Sequence, residues 1–100
     1  MSDKLSDKTK EEYIRSIFRG YSPEEIDTWM NILDSLYKNE GSITQTAEKL
    51  FIHKNTLQYR LNKLADQTGY DPRSIRFSSL YYNAIHFYAD VKDKFLIYNF

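Results

Sequence analysis

The sequence predicts an all-α protein, and three observations predict it. Apolar residues recur at helical spacing in successive segments, and helix start and stop signals separate these segments. Three Gly and two Pro residues are too few for the turns of an all-β chain. The sequence also has no alternating strand pattern and no internal repeat. At 100 residues it fits a single helical domain over residues 1–100, with about five helices.

The first two helices are each predicted from a cap. Thr9 followed by Glu12 matches a capping box and predicts an N-terminal helix over residues 9–20. Ser22, with a proline and two glutamates directly after it, is a second start signal. The apolar spacing that follows predicts a long helix, which Gly41 ends.

A short third helix is predicted over residues 43–51. Ser42 and Gln45 match a weaker form of the capping box at its start. The residues expected to face inward are Ala47, Leu50 and Phe51.

A fourth helix over residues 54–68 follows a tight joint at Ile52 and His53, and a glycine ends it. Its predicted buried stripe is Leu57, Leu61 and Leu64. A short helix, a tight joint and a second helix with outward polar residues is the helix-turn-helix arrangement. Residues 22–90 are therefore predicted to form a helix-turn-helix core without a wing, with 54–68 as its recognition helix.

The last helix, from residue 74 to about 90, is apolar around most of its surface. It is either the central core helix, or one side packs the domain while the other packs a second copy or an adjoining domain. An aromatic tail over residues 91–100 favours the second reading, because so small a domain cannot bury every ring. We expect a homodimer through residues 74–91 and the tail, or docking to an adjoining domain, which the family resemblance described below identifies as a sensory domain.

Composition argues against several functional classes. With no cysteine there is no disulfide framework or thiolate metal site, which fits a cytoplasmic location. The two histidines, His53 and His86, are far apart in sequence, and no nucleophile–base pair or glycine-rich phosphate loop is found. No run approaches the ~20 apolar residues of a membrane span. We expect no enzymatic activity, no cofactor, no metal and no membrane association.

Charge is unevenly distributed along a chain whose net charge is zero. Residues 1–40 hold six basic and nine acidic side chains, whereas residues 41–100 hold eight and five. Four basic residues and no acidic one lie within residues 49–63. Binding of a polyanion responds to this local field more than to the total.

The recognition helix has a polar side that suits DNA. Rotation by 100° per residue places four side chains opposite the leucine stripe, namely Asn55, Gln58, Tyr59 and Asn62. Amide side chains can form paired hydrogen bonds to adenine in the major groove. The flanking residues that suit phosphate oxygens are Lys54, Thr56, Arg60 and Lys63, with His53 at the helix start.

Two other interpretations remain open from spacing alone. The polar side is equally explained as a solvated surface, and Tyr59 could cover a neighbouring helix with its ring. The zero net charge also fits a protein–protein or oligomerisation module that has lost contact with DNA.

The run from Gly41 to Leu61 closely resembles the C-terminal helix-turn-helix of the PucR/CdaR family, the bacterial purine-catabolism and sugar-diacid transcriptional regulators. The similarity covers about residues 26–90, and Thr46 to Leu61 is its specific part. The joint and recognition helix are also similar, more weakly, to those of the nucleoid protein Fis.

This resemblance implies sequence-specific binding of a double-stranded promoter or operator by the output domain of a regulator. Such domains usually follow a sensory region and act as dimers or higher oligomers. The positions that would meet DNA are Lys54, Asn55, Thr56, Tyr59 and Arg60. The family commonly has arginine where this chain has Gln58, and more basic residues at positions 62 and 63. Either affinity is modest, or dimerisation or base contacts make up the missing charge.

Overall fold

The computed structural model describes residues 5–98, and their backbone forms five α-helices and no β-strand. The all-α class and the number of helices predicted from the sequence are confirmed. In chain order the helices are α1 (Asp7–Ile17), α2 (Pro23–Lys38), α3 (Ile43–Lys49), α4 (Lys54–Thr68) and α5 (Ile75–Tyr98).

The helices pack around one hydrophobic core. α5 packs along both α1 and α2, while α3 packs against α4 and α2. The leucine stripe predicted for α4 is confirmed, since Leu57, Leu61 and Leu64 are all fully buried in this core. None of the five helices combines the length and apolar character that crossing a membrane requires.

The predicted start and end of the first helix are wrong. α1 begins at Asp7, because the hydroxyl of Ser6 accepts a hydrogen bond from the backbone N–H of Thr9 at 3.1 Å. Ser6 thus supplies the same capping chemistry three residues before the predicted site. Within α1, Lys10 is only 5% exposed and forms an ion pair of 2.8 Å with Asp90 of α5.

The capping box predicted at the start of α2 is confirmed, whereas the one predicted at the start of α3 has only one of its two hydrogen bonds. At the start of α2, Ser22 and Glu25 form both bonds of a capping box. At α3 the hydroxyl of Ser42 accepts from the N–H of Gln45, but the N–H of Ser42 donates to the carbonyl of Asn39. The backbone N–H of Ser42 is therefore bonded to the turn between α2 and α3, and not to the side chain of Gln45 as a capping box would require.

The aromatic tail predicted over residues 91–100 is also wrong over its described part, because α5 continues as a helix to Tyr98. Val91 and Phe95 extend the buried stripe of α5 by two turns. The ring of Phe95 packs edge-on against Tyr88, and the guanidinium of Arg15 lies 4.8 Å from its centroid. Residues 99 and 100 of the predicted tail lie outside the described residues.

Most apolar residues of α5 are covered by α1 and α2, as the core-helix reading requires. Three tyrosines help to make this possible, because each packs its ring against the core while its hydroxyl reaches a partner. Tyr13 donates to the carbonyl of Leu80, and Tyr88 donates to Asp27. The Tyr81 hydroxyl donates to the carbonyl of Tyr70.

These buried phenols predict a loss of stability at alkaline pH. Burial raises the pKa of Tyr81 to about 12, above its unfolded value near 10. The folded state therefore holds this proton more tightly, so its stabilisation is complete below pH ~10 and is lost as pH rises toward ~12. Burial shifts the pKa values of Tyr37 and Tyr88 in the same direction.

We expect the urea midpoint, followed by circular dichroism, to fall between about pH 10 and 12. Tyr81→Phe should lower the midpoint at neutral pH, because its hydrogen bonds are lost, yet make the alkaline decline shallower. Tyr59→Phe changes an exposed tyrosine and is the matched control. Equal alkaline slopes for wild type and Tyr81→Phe would contradict this account.

Candidate nucleic-acid interface

α3 and α4 form the predicted helix-turn-helix pair. Ala47 is 3% exposed and lies in the common core, which fits the small residue expected where the two helices cross. Thr46 is fully buried, and its hydroxyl donates to the carbonyl of Ser42 at 2.6 Å. Ile52, in the joint, packs half-buried against the core, as predicted.

Phe51 does not face inward, and the prediction that it does is wrong. α3 ends at Lys49, and Phe51 adopts the left-handed conformation with φ 58°. The N–H of Ile52 donates to the carbonyl of Ala47, and the N–H of Phe51 donates to that of Glu48. This pair of bonds is a Schellman motif, which requires a left-handed residue and turns the ring outward until it is 94% exposed.

His53 caps the start of α4, as expected. Its Nδ1 accepts a hydrogen bond from the backbone N–H of Asn55 at 3.2 Å. The ring nitrogen that remains to donate is Nε2, and the residue is exposed. The cap thus orients the ring and leaves it a donor for an anion near the helix start.

All nine side chains predicted to contact DNA are exposed. They are His53, Lys54, Asn55, Thr56, Gln58, Tyr59, Arg60, Asn62 and Lys63. Tyr59 is 62% exposed, and the Nζ of Lys63 lies 5.7 Å from the centroid of its ring. The ring therefore does not cover a neighbouring helix, and this alternative from the sequence is wrong.

Arg73, in the loop between α4 and α5, is a member of this surface that the sequence analysis missed. Its Nη1 donates to the amide oxygen of Gln58 at 3.2 Å, and its Nη2 donates to that of Asn62 at 2.8 Å. Asp71 holds the guanidinium from behind with a 2.9 Å ion pair, and this hydrogen-bonded pairing lowers the pKa of Asp71. In the sequence, residues 71–73 indicated only a chain break.

One edge of α4 faces acidic residues. An open cleft of about 400 Å³ lies between α2 and α4, with Arg60 and Lys63 on one side and Glu24 and Glu25 on the other. The two carboxylates reduce the positive potential at this edge, whereas Lys54 at the helix start has no acidic residue near it in the sequence. Among the described residues, no group of three or more His, Asp or Glu side chains could hold a metal ion.

This fold and surface define a helix-turn-helix domain. The family model described as "PucR C-terminal helix-turn-helix domain" matches residues 29–86, more than half of the chain. The chain belongs to this family, as the resemblance in the sequence indicated.

Individual relatives match over less than half of the chain. A "leucine-rich protein" of Streptococcus dysgalactiae subsp. equisimilis is 44% identical over 39 residues, which are 39% of this chain and 14% of that protein. An uncharacterized protein of Mycobacterium tuberculosis is 43% identical over 49 residues, 49% of this chain and 12% of its own length. The uncharacterized protein YxkF of Bacillus subtilis is 40% identical over 45 residues, 45% of this chain and 15% of its own. The match thus spans a small part of each relative, and no solved structure matches this chain.

The left-handed Phe51 predicts that a glycine there stabilises the fold. A side chain in this conformation destabilises the folded state by roughly 1–2 kcal/mol. Glycine removes this strain, but it also raises the conformational entropy of the unfolded chain, which offsets part of the gain. We expect Phe51→Gly to raise the free energy of unfolding by about 1 kcal/mol, which is a rise in Tm of roughly 4–8 °C. Phe51→Ala is the matched control, because it removes the exposed ring but keeps the strain. Thermal melts should therefore rank glycine first, and equal Tm values for both variants would contradict a strained backbone.

Proposed function

We propose that this chain binds double-stranded DNA at a promoter or operator, as the output domain of a bacterial transcriptional regulator. The observation that carries the proposal is the common exposure of the polar side of α4, opposite the buried leucines. A helix with its side chains is about 10–12 Å wide, and the major groove is about 12 Å wide. A cytoplasmic location belongs to the same proposal, since the target is DNA.

Different parts of the surface have different roles in this proposal. Asn55 lies in the first turn of α4, where recognition helices contact base edges. Lys54, Arg60 and Lys63 suit phosphate oxygens, which position the helix without reading sequence. Three such contacts predict a modest affinity, whose logarithm falls with the logarithm of salt concentration with a slope of about −3.

A salt titration tests the proposal. Fluorescence anisotropy with a mixed-sequence duplex should show binding at low salt that weakens steeply as salt rises. Failure to bind at low salt, with capture of a protein partner instead, would favour the protein–protein module.

Two substitutions test the division of roles. Lys63→Ala should weaken binding to all sequences about equally and reduce the salt slope by about 1, whereas Asn55→Ala should cost roughly 1–3 kcal/mol on the preferred site alone. Lys38→Ala is the matched control for the lysine, because Lys38 is exposed at the end of α2, where it pairs with Asp34. Similar behaviour of the first two variants would contradict the assignment of positioning and reading residues.

The mode of pairing between copies also belongs to the proposal. Among the described residues, the exposed large apolar side chains of α5 are Ile75 and Tyr82. A stable interface buries roughly 800 Å² on each partner, which two such side chains do not supply. We therefore propose that copies of this chain pair on DNA, with their recognition helices in successive major grooves.

Light scattering tests this mode of pairing. The free chain should show a mass near its monomer value of 12.0 kDa. On a duplex with two half-sites one helical turn apart, two copies should bind more tightly than on a duplex with one half-site. A mass near twice the monomer value without DNA would instead support the homodimer through residues 74–91.

The cleft between α2 and α4 does not favour an enzyme. Its charged residues, Glu24, Glu25, Arg60 and Lys63, are all exposed. Catalytic groups usually depend on a desolvated site that shifts their pKa values. A role without catalysis is therefore part of the proposal.

A further inference from the structure

We propose that Arg73 is a positioning residue that sets the base preference of α4. By holding the amide oxygens of Gln58 and Asn62, it turns both amide NH2 groups outward as donors. These donors would favour guanine over adenine where they meet the major groove. This inference rests on the DNA-binding function proposed above.

The geometry begins with Asp71, which fixes the guanidinium. Its carboxylate accepts from Nε of Arg73 at 2.9 Å and from Nη2 at 3.1 Å. The backbone N–H of Arg73 also donates to it, at 2.9 Å. The Asp71 carboxylate thus accepts three hydrogen bonds from Arg73, two from the guanidinium and one from the backbone N–H. These bonds leave the guanidinium little freedom to turn. Its two terminal nitrogens, Nη1 and Nη2, therefore point toward α4.

The chemistry of guanidinium then decides how the amides are oriented. An arginine side chain has five N–H donors and no acceptor, so an amide that bonds to it must present its oxygen. Gln58 and Asn62 are one helical turn apart on α4 and both meet the same guanidinium. Their NH2 groups are therefore the ends that point away from Arg73.

Adenine and guanine present different hydrogen-bonding groups in the major groove, so they need different side-chain groups opposite them. Adenine presents an acceptor and a donor in the major groove, so an amide must turn both its NH2 and its oxygen to the base. Guanine presents two acceptors, N7 and O6, which two NH2 groups can meet. Asn55 is not a partner of Arg73, and its amide retains both a donor and an acceptor for adenine.

The ion pair with Asp71 also distinguishes Arg73 from a residue that binds phosphate. Asp71 neutralises the guanidinium, so the pair adds little to the field that attracts a polyanion. Replacing both members of the pair with uncharged side chains, in the double variant Asp71→Asn/Arg73→Ala, should therefore change which base is preferred, while the salt dependence of binding stays the same.

Selection from a randomised duplex pool tests the inference. Wild type should select guanine at the position that Gln58 and Asn62 contact. Arg73→Ala frees both amides to rotate, so the ratio of affinities for guanine and adenine duplexes should fall by about tenfold. The preference due to Asn55 should not change, and the salt slope should be the same in wild type and in Asp71→Asn/Arg73→Ala, which leaves no unpaired charge at position 71.

A second pair of variants covers the case in which Arg73→Ala does not fold. Asn62→Asp still accepts from Arg73 but has no NH2 group, so it too should lower the guanine-to-adenine ratio. Asn83→Asp places the same charge on the exposed side of α5 and should leave the ratio unchanged.

Three outcomes would overturn the inference. One is an unchanged base preference in both Arg73→Ala and Asn62→Asp. Another is a fall of about 1 in the salt slope of Asp71→Asn/Arg73→Ala, which would make Arg73 a phosphate contact. In both cases wild type still binds DNA, and the proposed function stands. If wild type fails to bind any duplex at low salt, the proposed function fails as well, so the two failures are distinguishable.

Discussion

The burial of three leucines along one side of α4 is the constraint on which the rest of the structure depends. Leu57, Leu61 and Leu64 are fully buried, and each contributes about 1.5–3 kcal/mol by leaving water. Together they fix the rotation of α4 about its own axis. The polar residues of that helix between positions 54 and 63 then all face outward. The candidate interface is thus a consequence of where the core lies.

The caps and stripes could be predicted from sequence because they depend on neighbours within one turn. The start of α2 at Ser22 and the left-handed stop at Gly69 are of this kind. Errors arose where two local signals competed. Ser6 starts α1 ahead of Thr9, and the apolar spacing of α3 was extended one residue too far, to Phe51.

What could not be predicted depends on contacts that are distant in sequence. Arg73 meets amides that lie 11 and 15 positions earlier, and no spacing rule connects them. The prediction of a tail from residue 91 onward is wrong over its described part, because the residues that cover Phe95, among them Arg15 of α1, are distant in sequence. Tyrosine rings can pack against the core of so small a protein because their hydroxyls find partners in neighbouring elements.

The hydroxyl of Tyr81 joins two helices mechanically. It lies 2.7 Å from the hydroxyl of Thr68, in the last turn of α4, and donates to the carbonyl of Tyr70 just beyond it. Because the ring of Tyr81 is fully buried in the core, these contacts tether the last turn of α4 to α5. Fraying of α4 at its C-terminal end would have to break these contacts, so the helix is held there as well as along its leucine stripe.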